Sequence, residues 1–314
     1  MDRRRFLASF ASTCAFAPFA ASALSPTPAA PARALAITLD DPEAEASYPL
    51  LSADARNAAI LSALDAAGGL RAALFVCGKR VDSAAGRRHL RAWADAGHLL
   101  GNHSWSHRFY PRTPFEEFSA DVSRCDALLA EYAPPEKRFR FPYLKEGDTV
   151  AQRDAMRSFL DAQGYRSGAV TIDASDWAID SRLRRRLAKD PKANLTPYRA
   201  FFLEHIAARA DYYASLANLA VGRAIPHTLL LHHNLLNALF LGDLLAHLRG
   251  LGWQLVDARA AFADPFFDSR PDVVPVGESL VWATARADTR FEGELRYPAE
   301  DERYEAPRMD ILGL

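Results

Sequence analysis

From residue 35 onward, short apolar runs alternate with longer stretches whose apolar positions recur at helical spacing. "ALAITLDD" (34–41) reads as a buried strand that ends in two carboxylates, and a helix follows at about 53–67, closed by Gly-Gly. "RAALFVCG" (71–78) is a second strand. "AGRRHLRAWADAG" (85–97) has the amphipathic pattern of a helix stopped by Gly97, with "HLLGNH" (98–103) as a short strand after it. The next helix, "PFEEFSADVSRCDALLAEYA" (114–133), ends at Pro134 and Pro135. Then come "RFRFPY" (138–143), a helix across 150–163, and "GAVTIDASDW" (168–177) as a strand. A long helix spans 198–220, "HTLLLHH" (227–233) is a strand, "LFLGDLLAHLRGLG" (239–252) a helix, and "WQLVDA" (253–258) the last strand.

Apolar strands alternating with helices predict a parallel sheet, here in numbers that suit a closed barrel over residues 31–265. No internal repeat is visible. Beyond about residue 264 the chain turns rich in Pro, Asp, Glu and Arg, with "GESLVWATAR" (277–286) as its one helical candidate. Residues 266–314 are expected to be a C-terminal extension packed on the barrel, not a second domain.

Composition narrows the function classes. Hydrophobic residues make up 49% and charged residues 25%, ordinary for a globular protein with a sizeable core. A net charge of −1 offers no basic surface for nucleic acid, which points to a neutral or small partner. No run reaches the roughly 18 apolar residues of a membrane span. The N-terminus is more telling: a basic start, an apolar centre and Ala-Ser-Ala at 21–23 have the layout of a secretory signal. "RRRFL" resembles the twin-arginine signal, so residues 1–30 are expected to be a signal and spacer, and the protein to be exported to the periplasm or beyond. Cys14 follows small residues, but Ala11 stands where a lipoprotein signal wants Leu, so lipidation is not expected. Cys77 and Cys125 remain, too few for a disulfide scaffold and without metal spacing.

In a parallel barrel, functional residues gather where strands end. Those ends carry Asp40 and Asp41; His103 and His107; Arg140, Pro142 and Tyr143; Asp173, Asp176 and Trp177; and His232 and His233. Any one alone reads more plainly as a helix cap or a satisfied core residue. Five such groups on one rim are not explained that way.

Five local patterns together resemble the polysaccharide deacetylases with the NodB homology domain, carbohydrate esterase family 4. "TLDD" is similar to the family's Thr-Phe-Asp-Asp, "HSWSH" to His-Ser/Thr-x-x-His, and "RFPY" to Arg-x-Pro-Tyr. "DASDW" resembles the motif ending in Asp-Trp, and "LLLH" the Leu-rich strand ending in His. They occur in the family's order over about residues 35–265. The resemblance implies a distorted (β/α) barrel and a metal-dependent hydrolase that removes N-acetyl groups from amino sugars in a glycan.

The residues themselves support that chemistry. Two imidazoles at i and i+4 would face one side of a helical turn, and a carboxylate from a neighbouring strand would complete three ligands with a position left open. Asp41, His103 and His107 are the expected ligands; nitrogen and oxygen donors favour zinc, with cobalt or nickel also fitting. Asp40 should face away from Asp41 by strand alternation. The resemblance implies Asp40 as base, His232 as acid, Asp176 as the residue that orients and charges that His, and Arg140 as the partner of Asp40. It implies the Tyr143 backbone N–H for the oxyanion, and Pro142 and Trp177 against the substrate, with Trp177 walling the acyl pocket.

Two departures bear on substrate. The family continues Asp-Asp-Gly-Pro where this chain has "DDPEAE", so the loop after Asp41 is expected to take another path and to bring Glu43 or Glu45 toward the site. The family has Asp after the last His, where "HHN" stands here; alternation lets only one of the pair face the site, and His232 is in the matching register. A sugar acetyl ester or a small non-glycan amide is the alternative substrate, and a glycan-binding pseudoenzyme the alternative of another class.

Overall fold

The computed structural model describes residues 33–45, 48–274, 277–293 and 295–314. The stretch read as an export signal lies outside these. Seven parallel strands form the sheet: β1 (Ala34–Asp40), β2 (Ala73–Val76), β3 (Leu99–Asn102), β4 (Arg138–Phe139), β5 (Arg166–Ser167), β6 (His227–His232) and β7 (Gln254–Leu255). Their order is β5-β4-β3-β2-β1-β6. The lower residues of β1, Ala34 and Leu35, pair with β7, while Thr38–Asp40 pair with β2, so these two strands share one edge of β1.

The helices are α1 (Ala53–Ala66), α2 (Ala84–Asp95), α3 (Phe115–Leu129), α4 (Val150–Ala162), α5 (Asp176–Lys189), α6 (Thr196–Val221), α7 (Leu235–Gly250), α8 (Ala258–Phe262), α9 (Leu280–Arg286) and α10 (Glu302–Ile311). Side-chain oxygens of Ser52, Ser83, Thr149 and Asn234 accept from the first-turn N–H groups of α1, α2, α4 and α7. Each satisfies a donor that a helix leaves open at its start.

Every residue of β1 is buried, as expected of a central strand covered on both faces. Burying Leu35, Ile37 and Leu39 contributes roughly 1.5–3 kcal/mol each, enough to carry the polar residues that the same strand places at its upper end. One of these, Thr38, is satisfied inside the barrel by donating to the Leu229 carbonyl at 2.8 Å.

Two expectations need correction. The predicted strand at 168–177 is not a strand: it makes a single bridge, Ile172 to Leu229, and Asp176 and Trp177 already open α5. The short strand β5 precedes it, and the chain from Gly168 to Ile172 then crosses to β6, so the barrel closes there through a few backbone bonds only. Past residue 264 the described residues form two α-helices, α9 and α10, not one; Pro307 and five charged residues in "ERYEAPRMDI" masked the helical period of the second.

Candidate active site

Register brings the strand ends level. Asp40 pairs with Phe75 on one side and His232 on the other, and Asn102 pairs with Phe139, so His103 and Arg140 follow at the same height. Phe75 fills the barrel beneath them: a Cβ on Gly101 or Gly168 would sit 2.5 or 2.3 Å from its ring, which is why both positions are glycine. The Arg140 guanidinium lies on that ring, 3.8 Å from its centroid.

Arg140 is buried and fully engaged. Its Nη1 donates to Asp40 Oδ1 at 2.5 Å, Nη2 to Thr38 Oγ1 at 3.0 Å, and Nε to the Gly168 carbonyl at 2.7 Å. Burial pushes Asp40 above the usual carboxylate range, and Arg140 offsets this only in part, so Asp40 is a stronger base than an exposed aspartate.

The loop from His103 to Phe109 is not a helical turn. Ser104 and His107 both have positive φ, 65° and 56°, and the rings of His103 and His107 meet edge-on with centroids 5.0 Å apart. The expected i, i+4 face is therefore replaced by a folded loop, pinned from outside by Asp121 on α3. That carboxylate accepts from the N–H groups of Trp105 (3.0 Å) and Ser106 (2.9 Å) and from Ser106 Oγ (2.7 Å). Asn102 Oδ1 accepts from Ser104 N at 2.8 Å and its amide donates to the Tyr165 hydroxyl at 2.6 Å. His103 Nδ1 donates to the Arg140 carbonyl at 2.8 Å, which turns Nε2 toward the site as an acceptor.

Asp41 leaves the strand with φ 60°, its N–H bonded to the Phe75 carbonyl. Its turn away from Asp40 is thus made by a left-handed residue, not by strand alternation. Asp41 Oδ2 lies 3.3 Å from His107 Nε2 and 3.4 Å from Arg80 Nη1. One ligand atom from each of Asp41, His103 and His107 lies within 4.8 Å of the others. Asp41 Oδ1 is buried with no hydrogen-bond partner. Burial holds His103 down at about 3 and lowers His107, so both imidazoles are neutral with lone pairs available. A buried, unsatisfied carboxylate oxygen facing two neutral imidazoles fits a divalent ion.

Across the cleft, His232 Nδ1 bonds to Asp176 Oδ1 at 2.7 Å, and Asp176 Oδ2 accepts from the His232 N–H, Asn234 and Asn237. Burial opposes a charge on His232, but the Asp176 carboxylate outweighs it and raises the imidazole to about 9. His233 turns the other way: it is buried, bonded to Asn57 Oδ1 at 3.1 Å and packed on Trp93, and burial holds it at about 3. Of the two histidines, only the ring of His232 joins the site.

Asp40, Asp41, His103, His107 and His232 line a cleft of about 800 Å³. Trp177 and Tyr143 stand at its mouth, 41% and 56% exposed, the latter in a left-handed conformation with its ring 4.6 Å from that of His107. Pro142 is buried and is not among the lining residues; its carbonyl accepts from Lys145 N. Glu43 and Glu45 do not line the cleft either. Instead Glu43 accepts from the Tyr48 hydroxyl at 3.0 Å and Tyr48 does the lining, between the guanidinium groups of Arg56 and Arg184. Asn234 carried a signal that was readable, since an Asn just before an apolar helical run is a cap pattern. Asp121 and Arg80 had none, being single charges in ordinary surroundings.

The C-terminal extension also reaches the cleft, through Glu278, Tyr297, Pro298 and Glu300. They face Asp173, whose carboxyl is pushed well above its usual range by burial and then by Glu278 and Glu300. Behind them His205, Glu300 and Glu305 form a second close group, but Arg209 and Arg296 already pair with Glu300 there.

Residues 28–159 match the family model described as polysaccharide deacetylase. Among solved structures, a mutant of a CE4-family pseudoenzyme from Bacillus anthracis is 14% identical with a TM-score of 0.51, over 74% of this chain and 68% of that one. That likeness shows a shared fold. Peptidoglycan deacetylase PdaC from Bacillus subtilis is 22% identical with a TM-score of 0.47, over 73% of this chain and 89% of that one. A family 4 carbohydrate esterase from Streptomyces lividans, solved with acetate, is 21% identical with a TM-score of 0.46, over 72% and 91% of the two chains. No protein of curated function matches the chain.

Proposed function

We propose that the chain is a polysaccharide deacetylase, as the match of residues 28–159 to that family's model supports, and that it is an exported, metal-dependent hydrolase that removes N-acetyl groups from amino sugars of a glycan. The observation that carries this reading is the Asp41, His103 and His107 group beside a carboxylate, Asp40, and a charged imidazole, His232, that end neighbouring strands. Bound there, zinc or a similar divalent ion would supply Lewis acidity and lower the pKa of a water molecule. Asp40, held as an anion by Arg140, takes the proton from the attacking water. His232, kept charged by Asp176, delivers a proton to the nitrogen as the carbon–nitrogen bond breaks, giving acetate and a free amine. In this reading the Tyr143 backbone N–H would donate to the developing oxyanion and Trp177 would wall the acetyl group, both residues lining the cleft.

An acetyl ester of a sugar is the second substrate class that the same acid and base would serve, and the altered path after Asp41 keeps it in view. Acetate release from chito-oligosaccharides and from an acetyl ester, with zinc and after chelation, separates the two. Asp40→Asn should lower kcat by about 10²–10⁴-fold while leaving metal content unchanged. Loss of the metal in that variant would show that Asp40 is a ligand and not the base.

A further inference from the structure

Among the described residues, three of the exposed large apolar side chains are aromatic rings: Tyr143, Trp177 and Tyr297. All three line the cleft. The first two lie in the motifs already assigned to the reaction. Tyr297 does not; it comes from the C-terminal extension, outside residues 28–159, and is 46% exposed. A large ring left open beside a cleft, while other rings are packed away, points to a ligand that covers it.

The ring is held in place. It packs on buried Trp282 with centroids 5.7 Å apart, and Trp282 Nε1 donates to the Arg296 carbonyl at 2.7 Å. Lys145 Nζ lies 4.6 Å from the Tyr297 ring centroid and pairs with Glu278, whose other oxygen accepts from Ala299 N at 3.0 Å. The same Lys145 follows Tyr143 and Leu144 in the barrel loop. Gly277 is pressed against that loop: a Cβ there would sit 2.8 Å from the Leu144 carbonyl. Leu280 N donates to the Val170 carbonyl at 2.7 Å, fixing the start of α9 to the segment that closes the barrel. The extension is therefore seated on two barrel loops, with a ring and a charged pair facing the cleft. The cleft, at about 800 Å³, lies in the upper part of the roughly 300–1,000 Å³ range of pockets that enclose drug-sized ligands.

We infer that the extension builds a subsite for a second sugar ring, neighbouring the one that loses its acetyl group. Tyr297 is the surface on which the apolar face of that ring packs, and the Lys145–Glu278 pair is the donor and acceptor for its hydroxyls. The inference rests on the glycan reading above and adds to it that the substrate is an oligomer bound through at least two units.

The test uses the zinc-loaded full chain with chitotetraose and with 4-nitrophenyl acetate, which has no second ring. Tyr297→Ala should raise KM for chitotetraose about ten-fold, the scale of one lost aromatic contact, and leave kcat within two-fold. KM for 4-nitrophenyl acetate should move less than two-fold, and Tyr297→Phe should restore chitotetraose KM. Equal losses on both substrates would make Tyr297 a structural residue and overturn the subsite, as would an unchanged chitotetraose KM. Should the wild type release acetate from neither compound, the deacetylase reading fails separately. Calorimetric binding of chitotetraose then decides: weaker binding to Tyr297→Ala than to wild type sustains the subsite, and equal or absent binding to both overturns it.

Discussion

The two walls of the cleft are built in different ways. On one wall, Asp40, His103 and Arg140 sit at the ends of β1, β3 and β4, and the register of the parallel sheet puts them level. On the other, Asp173, Glu278, Tyr297 and Glu300 come from a segment with one β-bridge and from the extension, and they are placed by side-chain pairs such as Lys145–Glu278 and Arg296–Glu300. The first wall is built by the barrel strands and, on the proposed reading, holds the reaction. The second lies outside the matched residues 28–159 and, on the same reading, distinguishes between substrates. Substitutions on the first should therefore reduce turnover on every acetylated compound, whereas those on the second should discriminate between compounds.

The largest effect should come from the ligand wall. His103→Ala removes a buried donor that nothing nearby can replace, and Asp41 Oδ1 is already without a partner. Activity should fall to background on all substrates, and bound metal, measured by elemental analysis of dialysed protein, should fall with it. Full activity with full metal content would remove His103 from the site. Next in size is the contrast between the two adjacent histidines. His232→Ala should cost about 10²–10⁴-fold in kcat with little change in thermal stability. His233→Ala should do the reverse: about 1–3 kcal/mol of stability, from the lost Asn57 bond and Trp93 packing, with kcat per folded molecule kept. Thermal denaturation alongside kinetics reads both, and an exchange of the two outcomes would reverse the assignment.

How legible this was in the sequence follows the same division. The strand-end motifs were readable because a parallel barrel turns each strand's last residue into a rim position, so a list of strand ends is already a list of site residues. What misled was conformation within the motifs. The spacing of His103 and His107 suited a helical turn, yet the glycine and asparagine before them and Asp121 behind them support a loop with two left-handed residues. The same holds for Asp41, where a left-handed φ follows the strand without a glycine to mark it. The second wall was not legible because its contacts join residues such as Lys145 and Glu278, far apart in the chain and with no periodicity to announce them. Likewise "GAVTIDASDW" has strand composition but only one bridge, since neighbouring β4 and β5 are two residues each and give it no partner to extend along.

Within the ligand wall, Asp121 tests whether the loop or only its histidines matter. It touches neither the cleft nor the ligands, but it satisfies three donors of the loop between them. Asp121→Ala should lower metal affinity by about 10–100-fold, the range seen when groups behind ligands are removed. Activity should recover at raised zinc concentration, and a competition titration against a chelator measures the shift. Affinity unchanged within two-fold would mean that the loop holds its shape without this carboxylate.

The smallest change is a displacement of pH dependence across the cleft. Asp176 raises His232 to about 9 against the burial that would lower it, so the acid form persists through neutral pH and is lost as pH rises through about 9. The sign for stability is the same: a raised folded-state pKa stabilises fully below the ordinary histidine value and ceases to above about 9. Asp176→Asn keeps the shape of the carboxylate but not its charge. The alkaline limb of kcat should then move down from about 9 toward or below the ordinary 6.5, so the variant loses activity at pH 8 while retaining more of it at pH 6. Asn234 and Asn237 also donate to Asp176, so a neutral amide there leaves one of its own N–H groups facing another donor, and a lower kcat at all pH values should accompany the shift. A uniform loss with the limb unmoved would assign Asp176 to positioning alone, and the charge of His232 would then have to come from Asp40 and Asp41.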